Sequence, residues 1–128
     1  MRLIRVSTTG LLLAAAACVH SSYNQPADPG LITEEEIVAS RAETAYDAVK
    51  LLRGNFLSSR GRTTLSRDST ASSLPTVYVD EQEFGPIMTL KSIPASHVVA
   101  IRLYRSWDAT TKYGIGKTGG VIEVTTRH

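Results

Sequence analysis

The segment Gly114-Ile115-Gly116-Lys117-Thr118-Gly119 has the residue types and spacing closest to known chemistry. It satisfies G-x-G-x-x-G, a pattern in which backbone N–H groups and a helix N-terminus hold a pyrophosphate. That chemistry needs a strand before the glycines and a helix after them. Here the β-branched run Val121 to Thr126 follows directly and reads as a strand, so no helix dipole is on offer. A Walker A reading of Gly116-Lys117-Thr118 fails because its first glycine position holds Thr111. Gly114, Gly116, Gly119 and Gly120 are therefore read as structural turn residues, and neither a nucleotide nor any other cofactor is expected. His20, His97 and His128 are scattered without metal-ligand spacing. The serines have no placeable histidine and acid partners, and Asp80 and Glu83 read as solvated turn carboxylates. No catalytic, cofactor-binding or metal-binding residue is expected. Tyr104, Arg105 and Trp107 lie together at a strand end and read either as core or as an exposed partner-contact patch.

The second candidate is Cys18, the only cysteine, so an internal disulfide is excluded. Arg2 and Arg5 form a positive start, and Leu11 to Ala17 form an apolar run too short to span a bilayer. Small residues then lead into Cys18, the order of a secretory signal with its cleavage site. Ala15-Ala16-Ala17-Cys18 resembles a bacterial lipobox, except that Ala15 stands where Leu is usual. The resemblance implies a signal over residues 1–17 and a lipidated Cys18. The alternative is an ordinary signal cut after an alanine. A lone exposed thiol in an oxidising compartment is reactive, and acylation removes it, while two or more acyl chains hold a protein stably at a membrane.

Charge excludes one class. The 14 Lys and Arg fall to 12 without Arg2 and Arg5, matching 12 Asp and Glu. A neutral mature chain lacks the basic stripe of a nucleic-acid binder. The apolar share of 42% suits one folded domain.

These residues need elements to position them. Residues 18–32, with Pro26, Pro29 and Gly30, read as a flexible tether, and residues 33–128 as the domain. Thr33 followed by Glu36 is a capping box. Val38, Ala42, Ala45, Val49 and Leu52 then recur at helical spacing, predicting one long amphipathic helix of about 20 residues. Residues 58–75 read as a mobile loop. Strands are predicted over 76–80, 98–104 and 121–126, with a short return at 83–85. A short helix is predicted over 88–93, ended by Pro94, and Asp108 is expected to cap a helical turn reaching Lys112. The predicted core pairs the helix stripe with Val79, Ile101, Leu103, Ile122 and Val124. The fold class is α+β: one long N-terminal helix packed with short helices on a small mixed β-sheet.

Tyr78-Val79-Asp80, Leu90, Ile93-Pro94, Val98, Ile101, Leu103, Ala109, Tyr113-Gly114 and Gly119-Gly120-Val121-Ile122-Glu123-Val124-Thr125-Thr126 occur in an order that resembles the plug domain of TonB-dependent outer-membrane receptors. That family usually has Gly after the Val-Asp pair. Glu81 stands there instead, which predicts a turn that avoids positive φ. A receptor continues into a barrel of about 22 strands, and only Arg127 and His128 follow the matching segment. The expectation is a plug-like domain without transport activity. The resemblance implies a non-catalytic lipoprotein on the periplasmic side of the outer membrane. Its partners are expected to be the membrane, through the anchor, and an outer-membrane barrel or other envelope protein. A structural lipoprotein with no specific ligand is the alternative.

Overall fold

The predicted helix over 34–53 is two helices. The computed structural model describes residues 28–58 and 74–128, and in it α1 spans Glu34–Ser40 and α2 spans Ala45–Arg53. The capping box at Thr33 is present: Glu36 N–H donates to the Thr33 hydroxyl and Thr33 N–H donates to the Glu36 carboxylate. The break comes at Arg41, which takes a left-handed conformation with φ 54°. Thr44 then starts a second helix, its hydroxyl accepting from Asp47 N–H. Cross-links fix the corner, since Ala45 N–H donates to Ile93 C=O and Ala95 N–H to Glu43 C=O. The break turns α2 so that Ala45, Ala48 and Val49 are buried, the i, i+3, i+4 face of a core helix. Val38, expected in the core, is 71% exposed.

A five-stranded mixed sheet supports the helices, confirming the α+β class. The strands are β1 (Leu31–Thr33), β2 (Thr76–Val79), β3 (Gln82–Pro86), β4 (Val98–Tyr104) and β5 (Val121–Thr126), in spatial order β1-β4-β5-β2-β3. Only the β2–β5 pair is parallel. β1 falls across the expected end of the tether: Ile32 is fully buried and the strand pairs with Ala100–Arg102. The tether thus ends before residue 31, because the edge of β4 offers those residues a hydrogen-bonding partner. The signal, Cys18 and residues 59–73 of the expected loop lie outside the described residues.

Alternation divides the sheet into two faces. Ile32, Val77, Ile101, Leu103, Ile122 and Val124 face α1, α2 and two 3-10 turns over Ile87–Ser92 and Ala95–His97, which contribute Ile87, Leu90 and Ala95, with Ile93 from the link between them. Leu90 is fully buried. The opposite face carries Tyr78, Tyr104, Val121 and Glu123 under α3 (Ser106–Tyr113), whose Ala109 is buried there. α3 starts two residues before Asp108, with Arg105 at its N-cap, so Asp108 lies within its first turn and does not cap it.

The β2–β3 hairpin corrects the expectation for Glu81. Its two-residue turn, Asp80-Glu81, has φ 48° and 69°, the positive φ at both positions that marks a type I′ turn. The strands' right-handed twist favours this turn. Asp80 is also held from β5, because Thr126 donates both its N–H and its hydroxyl to the Asp80 carboxylate.

Candidate functional site

Register brings together the most chemically capable side chains. Glu83 on β3, Tyr78 on β2, Glu123 on β5 and Arg102 on β4 are successive partners across the sheet. They form one row on the face beneath α3. The helix lowers Lys112 and Tyr113 onto this row, and the glycine turn after it adds Lys117. The Lys112 ammonium donates to both Glu123 carboxylate oxygens at 3.0 Å and to the Tyr104 hydroxyl at 2.9 Å. Tyr104 in turn donates to Glu123 at 2.9 Å. Lys112 also lies 4.9 Å from the Tyr104 ring centre and 5.1 Å from that of Tyr113, within cation–π range. Beside this group, Lys117 donates to Glu83 at 2.8 Å and sits 5.2 Å from the Tyr78 ring. Tyr78 donates to Glu83 at 3.0 Å. The three rings pack together: Tyr78 and Tyr113 centroids are 4.2 Å apart, and Tyr104 meets Tyr113 edge-on at 5.7 Å.

The electrostatics follow from these contacts. Burial pushes the Glu123 carboxyl up, but the hydrogen bonds from Lys112 and Tyr104, with the nearby Tyr113 hydroxyl and the Lys112 charge, outweigh it and leave Glu123 below the usual carboxylate range. Bonding to Tyr104 first, and then to Glu123, raises Lys112 against the cost of burial. Glu83 is lowered by Lys117 and then Tyr78, and Lys117 is raised chiefly by Glu83. Burial lifts Tyr113 to about 12. Its hydroxyl is buried beside Lys112 and Glu123 yet falls outside good hydrogen-bond geometry with any described residue. Thr126 holds Asp80 low through its hydroxyl and its N–H. Every resolved shift in the cluster therefore favours the form the group already carries at neutral pH. A general acid or base needs the reverse, a pKa brought toward the working pH.

The residues singled out from sequence separate here. Tyr104 is half-buried within the cluster, so it is not part of an exposed patch; Arg105 and Trp107 are exposed, Trp107 at 82%. Gly114 ends α3 with φ 89°, and Gly116 has φ 101° in open space. Gly119 and Gly120 are buried against backbone. A Cβ on Gly119 would lie 2.2 Å from the Leu74 carbonyl oxygen, and one on Gly120, at φ 91°, 2.6 Å from that of Tyr104. The glycines run from a helix into a strand, the opposite of the order that binds a pyrophosphate, and the motif's lysine, Lys117, is turned onto Glu83 and Tyr78. Among the described residues no group of three or more His, Cys, Asp and Glu is placed to hold a metal, and no helix is long and apolar enough to cross a membrane.

The sequence reading missed Lys112, Glu123 and Tyr113 as a unit. One signal was present: Glu123 is an acid inside a β-branched strand, on the face opposite Ile122 and Val124. Beside the cluster an open groove of about 490 Å³ runs between the hairpin tip at Asp80 and Glu81 and the row formed by Arg102, Tyr104, Lys112, Glu123 and Thr125. Comparison with protein-family models, curated proteins and solved structures returned no match.

Proposed function

We propose that the chain is a non-catalytic lipoprotein of the bacterial cell envelope. On this reading Cys18 anchors it on the periplasmic side of the outer membrane, and its plug-like α+β domain docks onto another envelope protein, an outer-membrane barrel being the kind of partner implied. The observation that carries the non-catalytic part is the pairing within the tyrosine–lysine–glutamate cluster. Lys112, Lys117, Glu83 and Glu123 are each bound to an oppositely charged partner, and their shifts lead away from neutral-pH proton transfer. Such a network fixes α3 and the glycine turn on the sheet, giving a rigid scaffold for the exposed loops around it. The resemblance of residues 76–126 to receptor plugs supports the envelope assignment. In-cell photo-crosslinking from the hairpin turn and edge strand β3 at residues 80–86, and from α3 with the turn after it at residues 104–118, tests the docking role. A single barrel or envelope protein crosslinked from neighbouring positions supports it. Crosslinks spread evenly over abundant envelope proteins would favour a structural lipoprotein without a specific partner.

A further inference from the structure

We propose that Trp107, with Arg105 beside it, seats the domain on a zwitterionic phospholipid surface; this rests on the reading of Cys18 as an acylated anchor. Trp107 stands near the start of α3 and is 82% exposed. A large ring with one polar N–H is costly in water and settles at the headgroup level of a bilayer. The point where the chain enters the domain lies beside it. Asp28, the first described residue, lines one groove of about 410 Å³ together with Arg105 and Asp108, the residues two before and one after Trp107. Nine residues lie between Cys18 and Asp28, and the ten steps from one to the other span at most ~36 Å when fully extended. That reach is comparable with the diameter of a domain this size, roughly 30–35 Å. That reach bounds how far the surface around Asp28 can stand from the anchored bilayer, while the opposite face can lie farther off by the domain's own width.

Charge selects the kind of surface. The groove carries Asp28, Arg102, Arg105 and Asp108, two of each sign. Asp28 pairs with Arg102 at 3.4 Å, while Arg105 makes no ion pair among the described residues. A groove that is neutral as a whole, with a guanidinium free for a phosphate and a carboxylate nearby for an ammonium, matches a phosphatidylethanolamine headgroup better than an anionic film. Hydrophobic seating of the indole then adds to the acyl anchor without depending on ionic strength.

Trp107 is the only tryptophan in the chain, so its fluorescence reports this one contact. The acylated full-length mature chain, its Cys18 modification checked by intact mass, is reconstituted in phosphatidylethanolamine–phosphatidylcholine vesicles with and without lipids brominated near the headgroup. The proposal predicts a blue-shifted emission that brominated lipids quench and that high salt leaves unchanged. Acylated protein whose emission stays water-like and unquenched would overturn the seating and leave the anchor standing. An unmodified Cys18 would overturn the anchor reading and the seating with it. A blue shift in native outer membranes that is absent from protein-free vesicles would assign the ring to a protein partner and overturn the lipid contact.

Discussion

Four glycines separate conformational strain from close packing, and alanine at each gives a graded outcome. Gly120 has φ 91°, and an added Cβ would sit 2.6 Å from the Tyr104 carbonyl oxygen. The left-handed backbone costs an L-residue about 1–2 kcal/mol, and forced overpacking adds about 1–3 kcal/mol. Gly120→Ala should therefore lose about 2–5 kcal/mol, a large share of the roughly 5–15 kcal/mol that holds a domain. Gly119→Ala has no φ penalty, but its Cβ would meet Leu74 backbone atoms at 2.2 and 2.4 Å, so it should be destabilised by packing alone. Gly116→Ala, at φ 101° with no atom within 4 Å, should pay only the conformational part, about 1–2 kcal/mol. Gly54, with φ −52° and open space, should accept alanine at no cost or gain a few tenths of a kcal/mol. Urea unfolding followed by circular dichroism measures the series, and each kcal/mol should move Tm by roughly 4–8 °C. Equal losses at Gly116 and Gly120, or a silent Gly120→Ala, would refute the packing argument. A rise in Tm on adding ATP or NAD would refute the structural reading of the whole turn, since a ligand that binds only the folded state must raise it.

Three further outcomes are expected. Ile101 is fully buried at the centre of the main core, so Ile101→Ala should lose about 2–5 kcal/mol; a wild-type melting curve would contradict its placement. Glu81→Gly should raise the urea midpoint by the equivalent of about 0.5–1 kcal/mol, because Glu81 holds φ 69° where glycine is unstrained; a lower midpoint would show that the Glu81 side chain stabilises the turn. Asp80, Glu83 and Glu123 have lowered pKa values, so their contribution is whole above the ordinary carboxylate range and lost as pH falls through their folded values. Lys112, Lys117 and Tyr113 are raised, so theirs is whole below about pH 10 and fades as pH rises through their folded values. The urea midpoint should stay flat between roughly pH 5 and 9.5 and fall on both sides; a midpoint that climbs above pH 10 would contradict the Lys112 and Lys117 pairing.

The elements that carried their own period were legible from sequence. β2, β4 and β5 followed alternation, and the buried face of α2 followed helical spacing. β1 was missed because three residues after Pro29 and Gly30 show no period, and their strand geometry comes from pairing with Ala100–Arg102. The continuous stripe from Val38 to Leu52 hid the break at Arg41. Its signal lay in Thr44 followed three residues later by Asp47, a second helix start inside the stripe. Glu81 was misjudged because φ preference was weighed alone, while hairpin twist and the bonds from Thr126 to Asp80 override it. The cluster was illegible for a different reason. Lys117 reaches Glu83 across 34 positions, and Lys112 meets Glu123 only through the packing of α3 on β5. Neither pair has a local signature.

The anchor at Cys18 is tested most directly by the intact mass of the mature chain isolated from the membrane fraction of a bacterial host. A polypeptide beginning at Cys18 and heavier by a diacylglycerol, with release into the soluble fraction on Cys18→Ser, is the predicted result. A chain cleaved elsewhere, or one carrying a free Cys18 thiol, would contradict the envelope-lipoprotein reading.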